Sequence, residues 1–364
     1  MSYHYFIFAN PNGKNVTPEK IRKLQDIFSQ GKGKLEGKFL VTQNLSQLEK
    51  SIKEHRTAAL DKELGTTIVG IVGGDGTVMH TRTLVENIWD YHPLYAFFPE
   101  GTMNNIHRAV GLSGVDSSVK LAKHVVAAAS SDTLDQYKVS FPSLDINHRK
   151  GFNIGFGLIP KLLWLYYGHS AKHYRELEEA LQHGHPDQYE ARYKEITGKK
   201  EADLFDLLSK ERGLIGAVKT TLRLLNGLRR HTDEAYLLHK PLSGDIKFDD
   251  EIQTFPQPPS GVYISCYEEV NLGLGRLNPK PSPEARTEEG KLQVVVPYGN
   301  PFSIIPDLPK VIAGEKLSQA VYKHISSLKL SEKFAQVDGE LLLQKGFTVR
   351  YDGKRKVITL PVTG

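Results

Sequence analysis

Apolar residues in the first third of the chain follow two alternating periodicities. Short, almost unbroken apolar runs cover residues 4–9, 38–42, 67–72 and 94–98. Such runs are typical of strands buried on both faces of a parallel sheet. Between them, apolar residues recur every three or four positions, as on the buried face of a helix. This β-α-β-α-β-α-β order predicts an α/β domain whose parallel sheet has helices on both faces.

Helix-start signals separate these strands. Thr17 is suited to be an N-cap and Pro18 to be the first helical residue. Ser46 is the expected cap of the second helix, and the helical period of the third begins at Thr77. The first helix should bury the apolar residues Ile21, Leu24, Ile27 and Phe28.

The third strand runs directly into a glycine-rich turn. The segment Gly73-Gly-Asp-Gly-Thr77 places one carboxylate, Asp75, among three glycines at the start of a helix. Backbone N–H groups and the positive end of the helix dipole make such a turn an anion site. Glycine also allows a polyphosphate to approach the main chain closely. The alternative is a tight turn in which Asp75 is a solvated turn residue or a cap.

Two other loops also follow strands. They cover residues 10–14 and 99–105, and the second offers Gly101, Thr102 and Asn104 as close-approach and hydrogen-bonding positions. Because the carboxyl ends of parallel strands meet at one edge of a sheet, we expect all three loops to lie together. Plain helix capping by Thr102, Asn104 or Asn105 is the alternative for the last loop.

Composition narrows the class of protein. The 364 residues are enough for two domains, and the net charge of +5 is too small to indicate nucleic-acid binding. A single cysteine, Cys266, excludes a disulfide framework and is expected to be a buried strand residue. We find neither a signal peptide nor an apolar run long enough to span a bilayer. We therefore expect a cytoplasmic protein, with peripheral binding to a membrane surface left open.

The remainder of the chain has a different pattern. Short alternating segments separated by Gly or Asp turns predict an antiparallel β-sandwich over residues 139–364, after a first domain of residues 1–138. A helical insertion is expected at about 160–240. Its segment 213–230 has an apolar face opposite a basic one, which suits either a helix packed on the sandwich or one on anionic lipid. His183-Gly-His185 is more typical of solvated histidines than of a metal site.

Three blocks of residues resemble a known family. Asn10-Pro11-x-Gly13, Gly73-Gly-Asp-Gly-Thr77 and Pro99-x-Gly-Thr-x-Asn104 resemble the catalytic domain of the diacylglycerol kinase and sphingosine kinase family in order and spacing. Val337-Asp-Gly-Glu340 resembles the C-terminal Asp-Gly-Glu block of that family, although by itself it is more typical of a hairpin turn. The resemblance implies an ATP-dependent lipid kinase whose active site lies between an α/β domain and a β-sandwich.

The resemblance also implies roles for individual residues. Asp75, Asp338 and Glu340 would be catalytic, and whether Asp75 or Asp338 is the base stays open. Asp75 would also face Mg²⁺, and Glu289 lies where some members hold a structural magnesium. The remaining implied positions bind the ATP phosphates or line the nucleotide pocket: Asn10, Pro11, Gly13, Gly73, Gly74, Gly76, Thr77, Gly101, Thr102 and Asn104.

Two other functions are compatible with parts of the sequence. An NAD kinase shares the Gly-Gly-Asp-Gly-Thr turn, but a counterpart of its second glycine-rich substrate segment is not evident here. A non-catalytic nucleotide- or lipid-binding protein on the same scaffold would not need the three carboxylates. The expected partner is a lipid acceptor, with no nucleic acid; a homodimer is one option for the assembly that the sequence does not decide.

Overall fold

The protein forms two compact units, which are described separately. The computed structural model describes residues 2–13, 15–31, 33–61, 65–101, 105–110, 112, 117–166, 171–183, 232–242, 244–266, 270–271, 276–277, 290–300, 307, 316–338, 340–344 and 346–360. The first unit consists of Met1–Phe152 and Asp352–Gly364, and the second of Asn153–Tyr351. The first unit therefore extends past the boundary predicted at residue 138, and it takes in the C-terminal segment.

A parallel sheet is the centre of the first unit. Its four leading strands have the order β2-β1-β3-β4, and each adjacent pair is parallel. Every residue of β3 after the first is buried, as the apolar run predicted. At the edge beyond β4, Val357 pairs in parallel with Tyr95, which explains why the end of the chain belongs to this unit. The strands are β1 (Tyr3–Ala9), β2 (Leu35–Val41), β3 (Thr66–Gly73) and β4 (Leu94–Pro99).

Helices cover both faces of this sheet. They are α1 (Pro18–Ser29), α2 (Leu45–Glu54), α3 (Arg56–Leu60), α4 (Asp75–Trp89), α5 (Asn105–Ala109) and α6 (Ser117–Ser130). Neighbouring residues of a strand point to opposite faces. In β1, Tyr5 contacts Phe28 of α1, whereas Phe6 contacts Trp89 of α4. The predicted α/β layer arrangement is confirmed.

Helix caps test the local predictions. Thr17 accepts a hydrogen bond from Lys20 N at 3.2 Å, so the predicted cap of α1 is confirmed, and the four expected apolar residues are buried. The prediction that Ser46 caps α2 was wrong. Asn44 has extended backbone and accepts from Gln47 N at 2.9 Å, which leaves Ser46 inside the helix. Asn is as good an N-cap as Ser, so the earlier polar residue lengthens the helix at no loss.

A buried ion-pair cluster fixes the C-terminal segment to the first unit. The Arg355 guanidinium donates to Glu86 at 2.8 Å, and Arg82 donates to the same carboxylate at 2.9 Å. All three side chains are buried. A 3-10 turn (Leu134–Tyr137) and the antiparallel pair β5 (Lys138–Ile146) and β6 (Arg149–Gly151) complete this unit.

The second unit is built on antiparallel strands, which confirms the antiparallel sheet structure predicted for this domain. Its larger sheet has the order β14-β13-β10-β7-β16-β17, and β15 pairs with both β8 and β18. The strands are β7 (Asn153–Gly157), β8 (Ile246–Phe248), β9 (Glu251–Ile252), β10 (Gly261–Ser265), β11 (Val270–Asn271), β12 (Arg276–Leu277), β13 (Leu292–Pro297), β14 (Ala320–Ile325), β15 (Ser327–Leu330), β16 (Phe334–Val337), β17 (Glu340–Leu343) and β18 (Phe347–Ile358). The last strand begins in this unit and ends in the first.

Helices also occur where the insertion was predicted. They are α7 (Leu158–Tyr166), α8 (Ala171–His183) and α9 (Asp233–His239), and they enclose a core with β16. Trp164, Tyr174, Leu237 and Phe334 are buried together in it. The predicted basic helix at 213–230, together with His185, lies outside the described residues. Over the part of the chain that the structure describes, we find no helix with the length and apolarity needed to cross a membrane.

Candidate active site

The glycine turn between β3 and α4 forms an open helix N-terminus. Gly74 is the N-cap residue, with extended backbone (φ −92°, ψ −177°) and no side-chain cap hydrogen bond. The first bond of the helical ladder runs from Val78 N to Gly74 O at 3.1 Å. The N–H groups of Asp75, Gly76 and Thr77 therefore precede the helical ladder, as at the start of every α-helix. This donor set fits a phosphate group.

The first two glycines of the turn are required by close packing within the protein. A Cβ at Gly73 would lie 2.6 Å from the Thr77 Cβ, and one at Gly74 would lie 3.1 Å from the Gly101 Cα. Neither residue has a positive φ. Conformational freedom is thus not the reason for glycine at these positions. Any side chain would force the turn away from α4 or from the neighbouring loop.

The loop after β1 is hydrogen bonded to the glycine turn. Asn10 Nδ2 donates to Thr77 Oγ1 at 3.1 Å, and Asn10 N donates to Val72 O at 3.1 Å. Within the loop, Asn12 N donates to Asn10 Oδ1 and Gly13 N donates to Asn10 O. Pro11 occupies the turn between them. The structure therefore brings the first two predicted blocks together through Asn10.

The loop after β4 joins the same group. Glu100 N donates to Gly73 O at 3.0 Å, while Asn15 Nδ2 donates to Gly101 O at 2.9 Å. Gly101 is buried beside Gly74, so the expected meeting of three strand-end loops is observed for Asn10, Gly74 and Gly101. Thr102 and Asn104, the other two predicted residues of this block, lie outside the described residues.

Sequence patterns did not single out two residues that hold these loops in place. Lys20 Nζ of α1 lies 2.7 Å from Glu100 Oε2 and also donates to Asn15 O at 3.3 Å. The Glu100 side chain is only 2% exposed. A charged residue directly after an apolar strand was a usable signal, because carboxylates are rarely buried without a partner. Its partner could not be found from sequence, since Lys20 is one of many lysines.

Asp75 is held by α5. Its Oδ1 accepts a hydrogen bond from Ile106 N at 3.2 Å and lies 3.7 Å from His107 Nδ1. The Asp75 side chain is 10% exposed and the His107 side chain is fully buried. On the same helix as Asp75, burial and the charge of Arg149 lower the pKa of His80 to about 4, so that imidazole is neutral at pH 7.

The Asp75 carboxylate is also a possible ligand for a metal ion. Among the described residues no group of three or more His, Cys, Asp or Glu side chains forms a metal cluster. Mg²⁺ does not need one, since it is commonly held by one or two carboxylates together with phosphate oxygens and water. Asp75 beside an uncapped helix N-terminus fits that pattern. Glu289, the other predicted metal ligand, lies outside the described residues.

The two carboxylates predicted in the second unit occupy a hairpin. Val337 pairs with Glu340, so Asp338 lies in the tight turn between β16 and β17, and it has the left-handed φ of 48° that such turns require. Asp338 is 3% exposed, and its Oδ1 accepts from Asn153 N at 3.0 Å. Glu340 is exposed. Gln336 Nε2 also donates to Asn153 Oδ1 at 3.1 Å, so two side chains next to this hairpin hold Asn153.

Comparison with known proteins finds a family match for part of the chain. Residues 4–139 match the family described as the diacylglycerol kinase catalytic domain. These residues include all three loops that meet at the glycine turn. Among curated proteins, none matches the sequence significantly.

Solved structures resemble the whole chain. A crystal structure of "a putative diacylglycerol kinase from Bacillus anthracis str. Sterne" is similar with a TM-score of 0.59 at 16% identity, covering 99% of this chain and 98% of the other. A second structure, of "a diacylglycerol kinases" protein from the same strain, gives a TM-score of 0.55 at 14% identity with the same coverage. At these identities the likeness establishes the fold.

Proposed function

We propose that this chain, which carries a diacylglycerol kinase catalytic domain over residues 4–139, is an ATP-dependent lipid kinase that phosphorylates a hydroxyl of a diacylglycerol-like or sphingoid-like acceptor. The observation that carries the proposal is the N-terminus of α4. There Asp75 occupies the first helical position, and two other strand-end loops are bonded to the same turn. Backbone donors beside one carboxylate are the combination that phosphoryl transfer to a hydroxyl needs.

In this proposal the first unit binds the nucleotide. The N–H groups at the start of α4 hold the phosphates, and Thr77 is oriented for this by its hydrogen bond from Asn10. Gly101 allows a phosphate to approach the third loop. Mg²⁺, when bound, supplies positive charge to the phosphate oxygens. The proposed nucleotide-binding set is Asn10, Pro11, Gly13, Gly73, Gly74, Gly76, Thr77, Gly101, Thr102 and Asn104.

Asp75 has the direct chemical role. Its carboxylate holds the metal ion or accepts the proton of the acceptor hydroxyl. Its Oδ1 is anchored by the Ile106 N–H, which limits rotation of the carboxylate. Anchoring of this kind keeps a reacting group near the productive geometry.

Asp338 and Glu340 are proposed to contribute further carboxylates from the β16–β17 hairpin. Glu340 is exposed, and Asp338 is fixed by the hydrogen bond from Asn153 N. A second acidic group is useful because one carboxylate can hold metal while another accepts a proton. We further propose that the chain meets its lipid acceptor at a membrane surface, since acyl chains keep such acceptors in the bilayer.

A labelled-ATP assay tests the proposal. The protein is incubated with Mg²⁺, γ-labelled ATP and either diacylglycerol, sphingoid base, NAD or no acceptor, with and without anionic vesicles. Labelled lipid is the expected product. Labelled NADP would replace the proposal with an NAD kinase, and ATP binding without turnover would replace it with a non-catalytic binding protein.

A matched pair of substitutions ties the activity to the site. Asp75→Asn keeps the size of the side chain, and we expect it to lower the rate by at least about 100-fold with the fold retained. Asp90→Asn changes a carboxylate at the other end of α4, where Asp90 is the left-handed C-cap residue, and should leave the rate unchanged. Near-normal turnover by the Asp75→Asn protein would remove Asp75 from the proposed role.

A further inference from the structure

His107 is a buried imidazole next to the proposed catalytic carboxylate. Its side chain has no exposed surface, and within the described part of the chain neither ring nitrogen has a hydrogen-bond partner. The ring packs edge-on to Phe97 of β4, with centroids 6.2 Å apart. A buried polar group left without a hydrogen bond costs about 1–3 kcal/mol. An apolar side chain would fit this environment more cheaply, so packing alone does not account for histidine here.

The candidate hydrogen-bond acceptor for this imidazole is the carboxylate of Asp75. His107 Nδ1 lies 3.7 Å from Asp75 Oδ1, beyond hydrogen-bond distance but within reach after a small rotation of either side chain. Catalytic hydrogen bonds are often long in the ligand-free protein and shorten when substrate binds. The same oxygen already accepts from Ile106 N at 3.2 Å. Two consecutive residues of α5 are therefore directed at one oxygen of Asp75.

We propose that His107 is a positioning residue that donates an Nδ1–H hydrogen bond to Asp75 Oδ1 in the working enzyme. Together with the Ile106 N–H, it fixes the rotation of the Asp75 carboxylate. Held from two directions, the carboxylate keeps one orientation toward the reacting groups, which a single backbone donor does not ensure. The catalytic role of this inference rests on the proposed kinase function; the hydrogen bond itself does not.

Kinetics of two His107 variants test the role. His107→Leu removes both ring nitrogens at similar volume, and we expect kcat to fall about 10- to 100-fold with an unchanged KM for ATP. Its Tm should equal or exceed that of the wild type, because an unpaired buried polar group is removed. His107→Asn retains a donor near the Nδ1 position and should recover at least part of the lost kcat.

A control variant separates positioning from packing. Val110→Ala shortens a buried apolar side chain directly after α5 and removes no polar atom, so it should lower Tm without changing kcat of the folded protein. A His107→Leu protein with kcat within about twofold of the wild type overturns the proposal. So does a rate loss that His107→Asn does not relieve and that matches the loss in folded fraction.

Nitrogen-15 NMR of the imidazole decides the question without any kinase activity. In the wild type with Mg²⁺ and a non-hydrolysable ATP analogue, His107 is expected as the tautomer with hydrogen on Nδ1, and Asp75→Asn should shift that signal. A tautomer with hydrogen on Nε2, insensitive to Asp75→Asn, overturns the inference. If no acceptor is phosphorylated but the Nδ1–H signal responds to Asp75, the proposed function fails while the hydrogen bond stands.

Discussion

Asn10 Nδ2 donates to Thr77 Oγ1 at 3.1 Å, across a sequence separation of 67 residues. The Asn10 side chain also accepts from Asn12 N, so one amide orders its own loop and links it to the first turn of α4. The loop after β1 and the N-terminus of α4 thereby become one hydrogen-bonded structure.

This link predicts the effect of Asn10→Ala on nucleotide binding. Loss of a hydrogen bond worth about 1–1.5 kcal/mol should raise the KM for ATP by up to about tenfold, with a smaller change in kcat. Steady-state kinetics with a double-mutant cycle against Thr77→Val measure the coupling. Asn12→Ala is the control: its side chain bonds to Gln43 O instead, so the KM should stay near that of the wild type. Additive effects of the Asn10 and Thr77 substitutions would contradict the link.

Because Glu86 is buried and paired with Arg355, its substitution should strongly lower the stability of the protein. Glu86→Gln keeps the shape of the side chain but leaves two buried guanidinium groups, Arg82 and Arg355, without their shared carboxylate. We expect a loss of about 3–5 kcal/mol in the free energy of unfolding. Glu54→Gln is the control, because Glu54 and Lys50 form an exposed pair at 3.8 Å and such pairs contribute at most about 1 kcal/mol. Equal losses in the two variants, measured by denaturant titration, would contradict the prediction.

The same buried pair should make the stability of the fold sensitive to low pH. Burial by itself raises the pKa of Glu86, but the charges and hydrogen bonds of Arg82 and Arg355 outweigh it and bring the pKa down from 4.5 to about 2. Because the folded-state pKa is the lower one, this carboxylate stabilises the fold above pH 4.5, and that contribution disappears as the pH falls toward 2. Stability measured from pH 6 to pH 2.5 should fall more steeply for the wild type than for Glu86→Gln. Parallel curves would show that other groups cause the acid unfolding.

Asp338→Asn tests whether the second unit contributes a catalytic carboxylate. Asparagine adopts the left-handed backbone of the turn and its Oδ1 can accept from Asn153 N, so the free energy of unfolding should change by less than about 0.5 kcal/mol. Under our proposal the rate of phosphoryl transfer nevertheless falls by about 100-fold or more. Asp249→Asn is a closely matched control. Asp249 has φ 49° in the β8–β9 turn and its carboxylate accepts from Ser327 N, with no proposed role in the reaction. An unchanged rate in Asp338→Asn would show that Asp338 serves only as a residue of the turn.

The burial of Lys161 should make the stability of the fold change with pH in the alkaline range. Burial lowers the pKa of Lys161 from 10.5 to about 8, although its ammonium donates to Lys240 O at 2.6 Å. Below pH 8 the buried charge destabilises the fold. Between pH 8 and 10.5 the unfolded chain binds a proton that the folded protein lacks, so this group makes stability rise with pH.

Lys161→Met should therefore stabilise the protein at pH 7, on the order of 1–2 kcal/mol once the lost hydrogen bond is subtracted. The advantage should shrink as the pH rises toward 10.5. Denaturant titrations of both proteins at pH 7, 8.5 and 10 measure the difference. A Lys161→Met protein that is less stable at every pH would show that the hydrogen bond outweighs the burial of charge.

The sequence by itself determined the order of the first four strands and of the helices between them, and which loops would meet. Apolar periodicity depends on near neighbours, and the carboxyl ends of parallel strands share an edge whatever the loops contain; that is why Asn10, Gly74 and Gly101 were expected together. The catalytic-domain family could also be identified, because its blocks are short and contiguous. The helix begins after Asn44 rather than Ser46, which shows how coarse such signals are: two good caps only two residues apart compete through small energy differences.

Only the tertiary structure decided which distant residues complete the site and the core. Lys20 pairs with Glu100, His107 lies beside Asp75, and Arg355 returns to Glu86 across 269 residues of sequence. Single charged or polar residues carry no periodicity, so nothing local selects one lysine or histidine over another. Burial selects them: a charged side chain taken out of water is stable only beside a partner, and the fold alone determines which group lies within reach.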